Sequence, residues 1–223
     1  MKILAFDTAT EYCSTALWLD GTVLCRDVHA GQTHSQRLLP QCQSLLAEAG
    51  MQLADLDGIA FGMGPGSFTG LRIACAVAQG LAFGADLRVV GVNSLQAIAA
   101  ASGDEKVIAC LDARMGEVYH AAYQRHEDDW LEMSPAMVCK PEQVPLLEAG
   151  EWTGCGSGFA AYPEVLAARY GVSLAAVKAD IYPTARHIAG LAVRQFSSFK
   201  AIAPEFAAPL YIRNKVALKI CER

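Results

Sequence analysis

Charge is scarce in this chain of 223 residues: Asp, Glu, Lys and Arg make up 18%, against 53% hydrophobic residues. A composition this oily implies that some apolar surface is set aside for a partner. Positive charge is scarcer still. The formal net charge is -5 and the pI is near 5.5, so the chain as a whole should repel a phosphate backbone, and any role with RNA is shared with another subunit. Long apolar runs are missing too. The amino-terminal run stops at Asp7, far short of a signal peptide, and the longest oily stretch, 73–85, contains Gln79 and is too short to span a bilayer. The expectation is a cytoplasmic protein with no membrane association.

The usual signatures of metal and nucleophile chemistry are lacking as well. Eight cysteines (Cys13, Cys25, Cys42, Cys75, Cys110, Cys139, Cys155, Cys221) are scattered without a C-x-x-C pair, unlike a zinc site or a disulfide scaffold, and read as reduced core residues. His29 and His34 are five apart, on opposing sides of a helix, and His120, His126 and His187 have no carboxylate or cysteine at ligand spacing. They read as surface or capping histidines, not metal ligands. No glycine-flanked nucleophile elbow recommends any serine.

Two stretches share one design. Residues 2–6 form an apolar strand ending in Asp7-Thr8-Ala9-Thr10, followed by strands at 13–19 and 23–29. Residues 107–111 end in Asp112-Ala113-Arg114-Met115-Gly116, followed by strands at 118–123 and near 133–139. Two strand, acidic turn, strand units about half a chain apart predict a duplicated α/β architecture with a cleft between the copies. Ser102-Gly103-Asp104 is the natural boundary, giving subdomains 1–103 and 104–223, with the last helix or the tail packing back on the first. At 223 residues such a fold buries about 70% of its unfolded surface and needs no staple.

Between the halves of the first unit lies Gly64-Pro65-Gly66-Ser67-Phe68-Thr69-Gly70-Leu71-Arg72, flanked by apolar runs. It reads as strand, glycine turn, helix, with Ser67 or Thr69 capping the helix. Such a start attracts anions, and it is also how an ordinary strand-to-helix joint is built. Thr33 and Gln36 form a capping box for a helix whose face carries Leu38, Leu39, Cys42, Leu45, Leu46 and Ala49, with Pro40 kinking it and Gly50 ending it. The helix over 70–83 is apolar nearly all round. Further helices are expected at 162–170 and 184–196.

Paired aspartates at strand ends suit a protein that holds Mg-nucleotide, because magnesium needs carboxylates and glycine turns admit phosphates. Asp7 and Asp112 qualify by position, Thr10 belongs to the first turn, and Gly156 within Gly154-Cys155-Gly156-Ser157-Gly158 offers a loop on which an adenosine could pack. Each can equally be plain turn chemistry. The carboxyl end breaks the acidic trend, with Arg213, Lys215, Lys219 and Arg223 against only Glu222. It is either a solvated tail, or Tyr211-Ile212-Arg213-Asn214 docks on the body and presents its cations to a partner or to RNA.

Four motifs together, Phe6-Asp7-Thr8-Ala9-Thr10, the glycine segment 64–72, Leu111-Asp112-Ala113-Arg114-Met115-Gly116-Glu117-Val118-Tyr119 and Pro209-Leu210-Tyr211-Ile212-Arg213-Asn214, resemble the TsaB (YeaZ) family over nearly the whole chain. The resemblance implies a two-lobed actin-like or Hsp70-like (ASKHA) ATPase fold with duplicated RNase H-like domains. It also implies a role in making threonylcarbamoyladenosine next to the anticodon of tRNAs that read codons starting with A. In that family the protein is the non-catalytic paralogue of TsaD, with which it forms a heterodimer through amino-terminal helices. TsaE joins as an ATPase, tRNA is met only through the complex, and the chain alone forms a homodimer. TsaD carries an H-x-x-x-H metal pair where this sequence has Ser94 and Ile98, and isoleucine cannot coordinate a metal. Ala9 and Arg114 add bulk where a phosphate would approach bare backbone. The expectation is therefore a vestigial cleft at Asp7, Thr10, Asp112 and Gly156, with no cofactor or metal and with Arg114 filling the cleft or pairing with one of the aspartates. The partner surface is expected at Leu38, Leu39, Cys42, Leu45, Leu46, Ile73, Val77 and Leu81. The rival readings are an active actin-like ATPase and a glycoprotease-type hydrolase.

Overall fold

Alternation along the amino-terminal strand sets up the first layers. In β1 (Lys2–Asp7), Leu4 and Phe6 enter one apolar cluster while Ile3 and Ala5 enter another, all four fully buried. A strand with apolar residues on both faces has to be covered on both. The computed structural model describes residues 1–127 and 129–213. β1 pairs antiparallel with β2 (Tyr12–Leu19), which pairs antiparallel with β3 (Thr22–His29). On the other side β1 runs parallel to β4 (Gly58–Gly64), and β4 parallel to β5 (Arg88–Asn93).

One face of this sheet carries α1 (His34–Glu48) and α2 (Phe68–Gly84), which contribute Leu38, Cys42, Leu45, Ala74, Cys75, Ala78 and Ala82 to the cluster around Leu4 and Phe6. Ser67 caps α2, its hydroxyl oxygen accepting from the Gly70 N–H at 3.4 Å. The expected capping box of α1 does not form. Thr33 Oγ1 instead donates to Ala30 O at 2.7 Å and accepts from Arg37 Nε at 2.8 Å. Its hydroxyl is taken by the preceding turn and by a cation one turn along, which leaves nothing for the helix N–H groups.

The second half repeats the same plan. β6 (Lys106–Arg114) pairs antiparallel with β7 (Glu117–His126), which pairs antiparallel with β8 (Asp129–Cys139). β6 also runs parallel to β9 (Trp152–Cys155), and β9 parallel to β10 (Leu174–Lys178). Order and strand direction thus match the first sheet, with β6 in the place of β1. The chain has a two-lobed ASKHA-like α/β fold. α4 (Ser157–Ala161) and α5 (Pro163–Tyr170) cover one face of the second sheet through Phe159, Leu166 and Tyr170.

The remaining two helices cross between lobes. α3 (Ser94–Ser102) follows β5 but packs Leu95, Ile98 and Ala99 on Val107, Ala109 and Leu111 of the second sheet. α6 (Ala185–Ser197) follows β10 but packs Ala185, Ile188, Ala189 and Ala192 on Ile3, Ala5, Val90 and Val92 of the first. α3 and α6 also touch each other, so the two crossings lie side by side. Among the described residues no helix is long and apolar enough to cross a membrane.

Candidate functional site

The duplicated topology places Asp7 and Asp112 at equivalent ends of the two central strands. Asp7 is buried. Its Oδ1 accepts the Ala9 N–H at 2.7 Å and its Oδ2 accepts the Ser94 hydroxyl at 3.1 Å. Burial pushes its carboxyl up to about 7, against the opposing pull of those two hydrogen bonds. The turn beyond it is closed by its own chain. Thr8 Oγ1 donates to Gly70 O at 2.7 Å, and the Ser67 N–H donates to Ala9 O at 2.7 Å. A side chain at Gly70 would place its Cβ 1.8 Å from Thr8 O, so glycine is what lets the first turn of α2 lie directly on the turn after β1. Thr10 accepts the Tyr12 N–H at 3.3 Å and serves the entry to β2.

Asp112 is held in the second lobe by the same kind of contacts. Its Oδ1 accepts the Arg114 N–H at 2.8 Å, its Oδ2 lies 3.2 Å from the Arg114 guanidinium, and its own N–H donates to Ser157 Oγ at 3.1 Å. Arg114 therefore pairs with Asp112. It does not plug the cleft, because its side chain is 88% exposed while that of Asp112 is 19% exposed. Arg114, Met115 and Gly116 all take positive φ, which makes the tight turn between β6 and β7.

Gly156 turns at φ +102, and a Cβ there would stand 2.4 Å from Cys110 O. Its glycine lets α4 approach β6, and its N–H donates to Lys178 O at 3.2 Å. The loop is occupied by the protein's own backbone.

In each turn one backbone N–H is bonded within the chain: Ala9 to Asp7, Gly70 to Ser67, Arg114 to Asp112. Anion sites at glycine turns work through free N–H groups. These three N–H groups are turned to their own chain. Among the described residues no cluster of three or more His, Cys, Asp or Glu could hold a metal ion. Ser94 is spent on Asp7, and Ile98 is fully buried in the second lobe's core.

The histidines are more varied than their spacing predicts. His187 meets the Thr184 hydroxyl at the start of α6, and His34 Nε2 lies 3.2 Å from Tyr12 O. His120 is not a surface or capping residue. It is fully buried, neither ring nitrogen has a hydrogen-bond partner among the described residues, and its ring stacks on Tyr170. The alternation of Val118, His120 and Ala122 on the inward face of β7 carried that signal. Of the cysteines, Cys13, Cys42, Cys75, Cys110 and Cys155 are free and buried, with thiols pushed up by burial. Cys25 and Cys139 are half-buried, and Cys221 lies outside the described residues.

The family description "TsaD: tRNA N6-adenosine threonylcarbamoyltransferase" matches residues 28–218. A protein of Escherichia coli K12 called tRNA threonylcarbamoyladenosine biosynthesis protein TsaB is 43% identical over 98% of this chain and 97% of its own length. The chain belongs to the TsaB family. A Haemophilus influenzae protein of the same name is 37% identical over 98% of this chain and 96% of its own. The solved structure of YeaZ from Pseudomonas aeruginosa superposes with a TM-score of 0.87 at 38% identity, covering 94% of this chain and 99% of that one.

The expected partner surface divides within this TsaB-family fold. Leu38, Cys42 and Leu45 are turned inward and almost fully buried, so they build the core and cannot meet a partner directly. Leu39 is 42% exposed. Leu46, Ile73, Val77 and Leu81 are half-buried, resting on the core cluster with part of each side chain open. The physical cause is simple: the apolar stripe of an amphipathic helix faces the core first, and only its flanks stay open.

Of the two readings of the basic carboxyl end, docking on the body holds for Tyr211 and Arg213, whereas presentation of the Arg213 cation does not. Arg213 docks on the body, its guanidinium 2.5 Å from Glu117, so that charge is neutralised and not presented. Asn214, Lys215, Lys219, Glu222 and Arg223 lie outside the described residues.

Proposed function

We propose that this chain is a non-catalytic scaffold subunit which, with TsaD and TsaE, is needed to put threonylcarbamoyl on the adenosine next to the anticodon of tRNAs reading codons that start with A. The observation that carries this reading is the internal use of the N–H groups of Ala9, Gly70 and Arg114 and of the carboxylates of Asp7 and Asp112. A cleft in which these donors and carboxylates are engaged by their own chain is a poorer grip for a triphosphate or its metal. It works without a cofactor. The names of its relatives point to the same pathway.

In this reading the useful surface is the helical flank. Leu39, Leu46, Ile73, Val77 and Leu81 pair with the matching helices of TsaD, and with a second copy of this chain when TsaD is absent. The net charge of -5 keeps tRNA contact for the assembled complex. The setting is cytoplasmic.

Co-expression with TsaD followed by a modification assay on unmodified tRNA, with and without this chain, tests the proposal. Co-purification and loss of modification on omission are expected. Full modification by TsaD and TsaE alone would contradict it.

A further inference from the structure

After α6 the chain does not return to its own lobe's surface and stop. Ile202 exchanges both backbone hydrogen bonds with Val89 on the open side of β5, each 2.9 Å. Ala207 is buried in the cluster under α2, and its carbonyl accepts from Gln79 Nε2 at 3.0 Å and from Cys75 Sγ at 3.4 Å. The Leu210 N–H donates to Met63 O at 2.7 Å. Arg72 Nε donates to Tyr211 Oη at 3.0 Å while its guanidinium lies over the Phe68 ring. To this point every anchor is in the first lobe.

The last described residue is anchored in the other lobe. Arg213 reaches the β6–β7 turn, donating to Glu117 at 2.5 Å and to Arg114 O at 3.4 Å, with its guanidinium facing the Tyr119 ring. The side chain is 15% exposed, which makes this pair stronger than one at an open surface. The turn it holds is the one that carries Arg114 next to Asp112, and the anchors before it hold the glycine turn and α2. Among the described residues the two other passages between lobes, into α3 and into α6, lie side by side where those helices touch. Two adjacent passages make a hinge, and a third attachment elsewhere fixes its angle.

We infer that residues 202–213 are an interlobe clamp, with Arg213 on Glu117 as its catch, which holds the two lobes at one angle. An actin-like fold that opens and closes needs its lobes free to rotate. Here the strap makes the pair of lobes one rigid body, suited to presenting a fixed helical surface.

Hydrogen exchange on the full chain tests this, with Arg213→Ala and Glu117→Gln as variants. Releasing the catch should raise exchange at least fivefold at the lobe crossings, residues 93–95 and 178–184, which neither side chain touches. It should also enlarge the radius of gyration in solution scattering. The charge-swapped pair Arg213→Glu with Glu117→Arg should restore protection at the crossings. Exchange that rises only at 112–119, or nowhere, would overturn the clamp. If Arg213→Ala does not fold, Glu117→Gln decides alone, since it replaces a half-exposed side chain in a surface turn.

Discussion

The hydroxyl of Ser94 donates to Oδ2 of Asp7 across 3.1 Å, joining the end of the first lobe's central strand to the start of the helix that crosses to the second. This contact ties a buried carboxylate to the helix that crosses between the lobes.

The pH dependence of stability should carry the mark of Asp7. Its folded-state carboxyl lies near 7 against an ordinary value of 3.8, because burial disfavours the charged form. The folded chain therefore binds a proton that the unfolded chain has released. Stability from this group is full below about pH 4 and is lost as pH rises toward 7. Asp7→Asn keeps an acceptor for Ala9 and stays neutral. We expect it to melt several degrees above the parent at pH 8 and at the same temperature near pH 4, since a tenfold difference in proton affinity between the folded and unfolded chains is worth about 1.4 kcal/mol. Thermal unfolding followed by circular dichroism across that range is the check.

His120 acts with the opposite sign. Burial pushes its imidazole down to about 4 from 6.5, so the unfolded chain takes up a proton that the folded chain refuses. Stability is full above pH 6.5 and is lost as pH falls toward 4. Since the ring nitrogens have no partner among the described residues, His120→Phe should flatten the acid side of the stability curve without lowering stability at pH 7.5 by more than about 1.5 kcal/mol. The two windows overlap, so the single variants and the double variant should be melted side by side.

Charged substitutions on α1 should separate core from surface. Leu45→Asp puts an unpaired charge at a fully buried position and should unfold the chain, at a cost of several kcal/mol. Leu39 is 42% exposed, so Leu39→Asp should leave the melting temperature within about 3 °C while weakening self-association and TsaD binding at least tenfold. Light scattering and titration calorimetry beside circular dichroism distinguish the two outcomes.

Most of the fold can be read in the sequence because its strands are apolar runs that end in charged or glycine turns. Residues 2–6 and 107–111 announce β1 and β6 in this way, and the repeated order of the two sheets follows from the repeated pattern. Three features escape such a reading. Periodicity finds the stripe Leu38, Cys42, Leu45 on α1 but does not say whether a core or a partner covers it. The sequence leaves open whether Arg213 is solvated or docked, and does not name its partner, because Glu117 lies 96 residues away. The passage of α3 onto the second sheet depends on which apolar face docks where, and both sheets offer one. The site is legible in its residues and only partly in its hydrogen bonds. Asp7, Asp112 and the glycines are visible in the chain, and so are the local contacts of Ser67 with Gly70 and of Arg114 with Asp112, three and two residues apart, whereas the hydroxyl that Ser94 brings to Asp7 from 87 residues away is long-range geometry.

The exchange of helices predicts how a divided chain behaves. A fragment of residues 1–103 lacks α6, so Ile3, Ala5, Val90 and Val92 lose their cover, and α3 loses the sheet it packs on. We expect this fragment to aggregate or to lack a cooperative melting transition. A sharp transition and a dispersed amide spectrum would show that the first half folds without the second.

Nucleotide titration of the isolated chain is the decisive measurement. Calorimetry with ATP and magnesium at 25 °C, paired with a phosphate-release assay, should show no binding at micromolar nucleotide and no turnover above the buffer rate, because Asp7, Asp112 and the N–H groups of Ala9, Gly70 and Arg114 are already bonded to their own chain. Micromolar binding that disappears in Asp7→Asn, or magnesium-dependent phosphate release by the pure chain, would contradict the account.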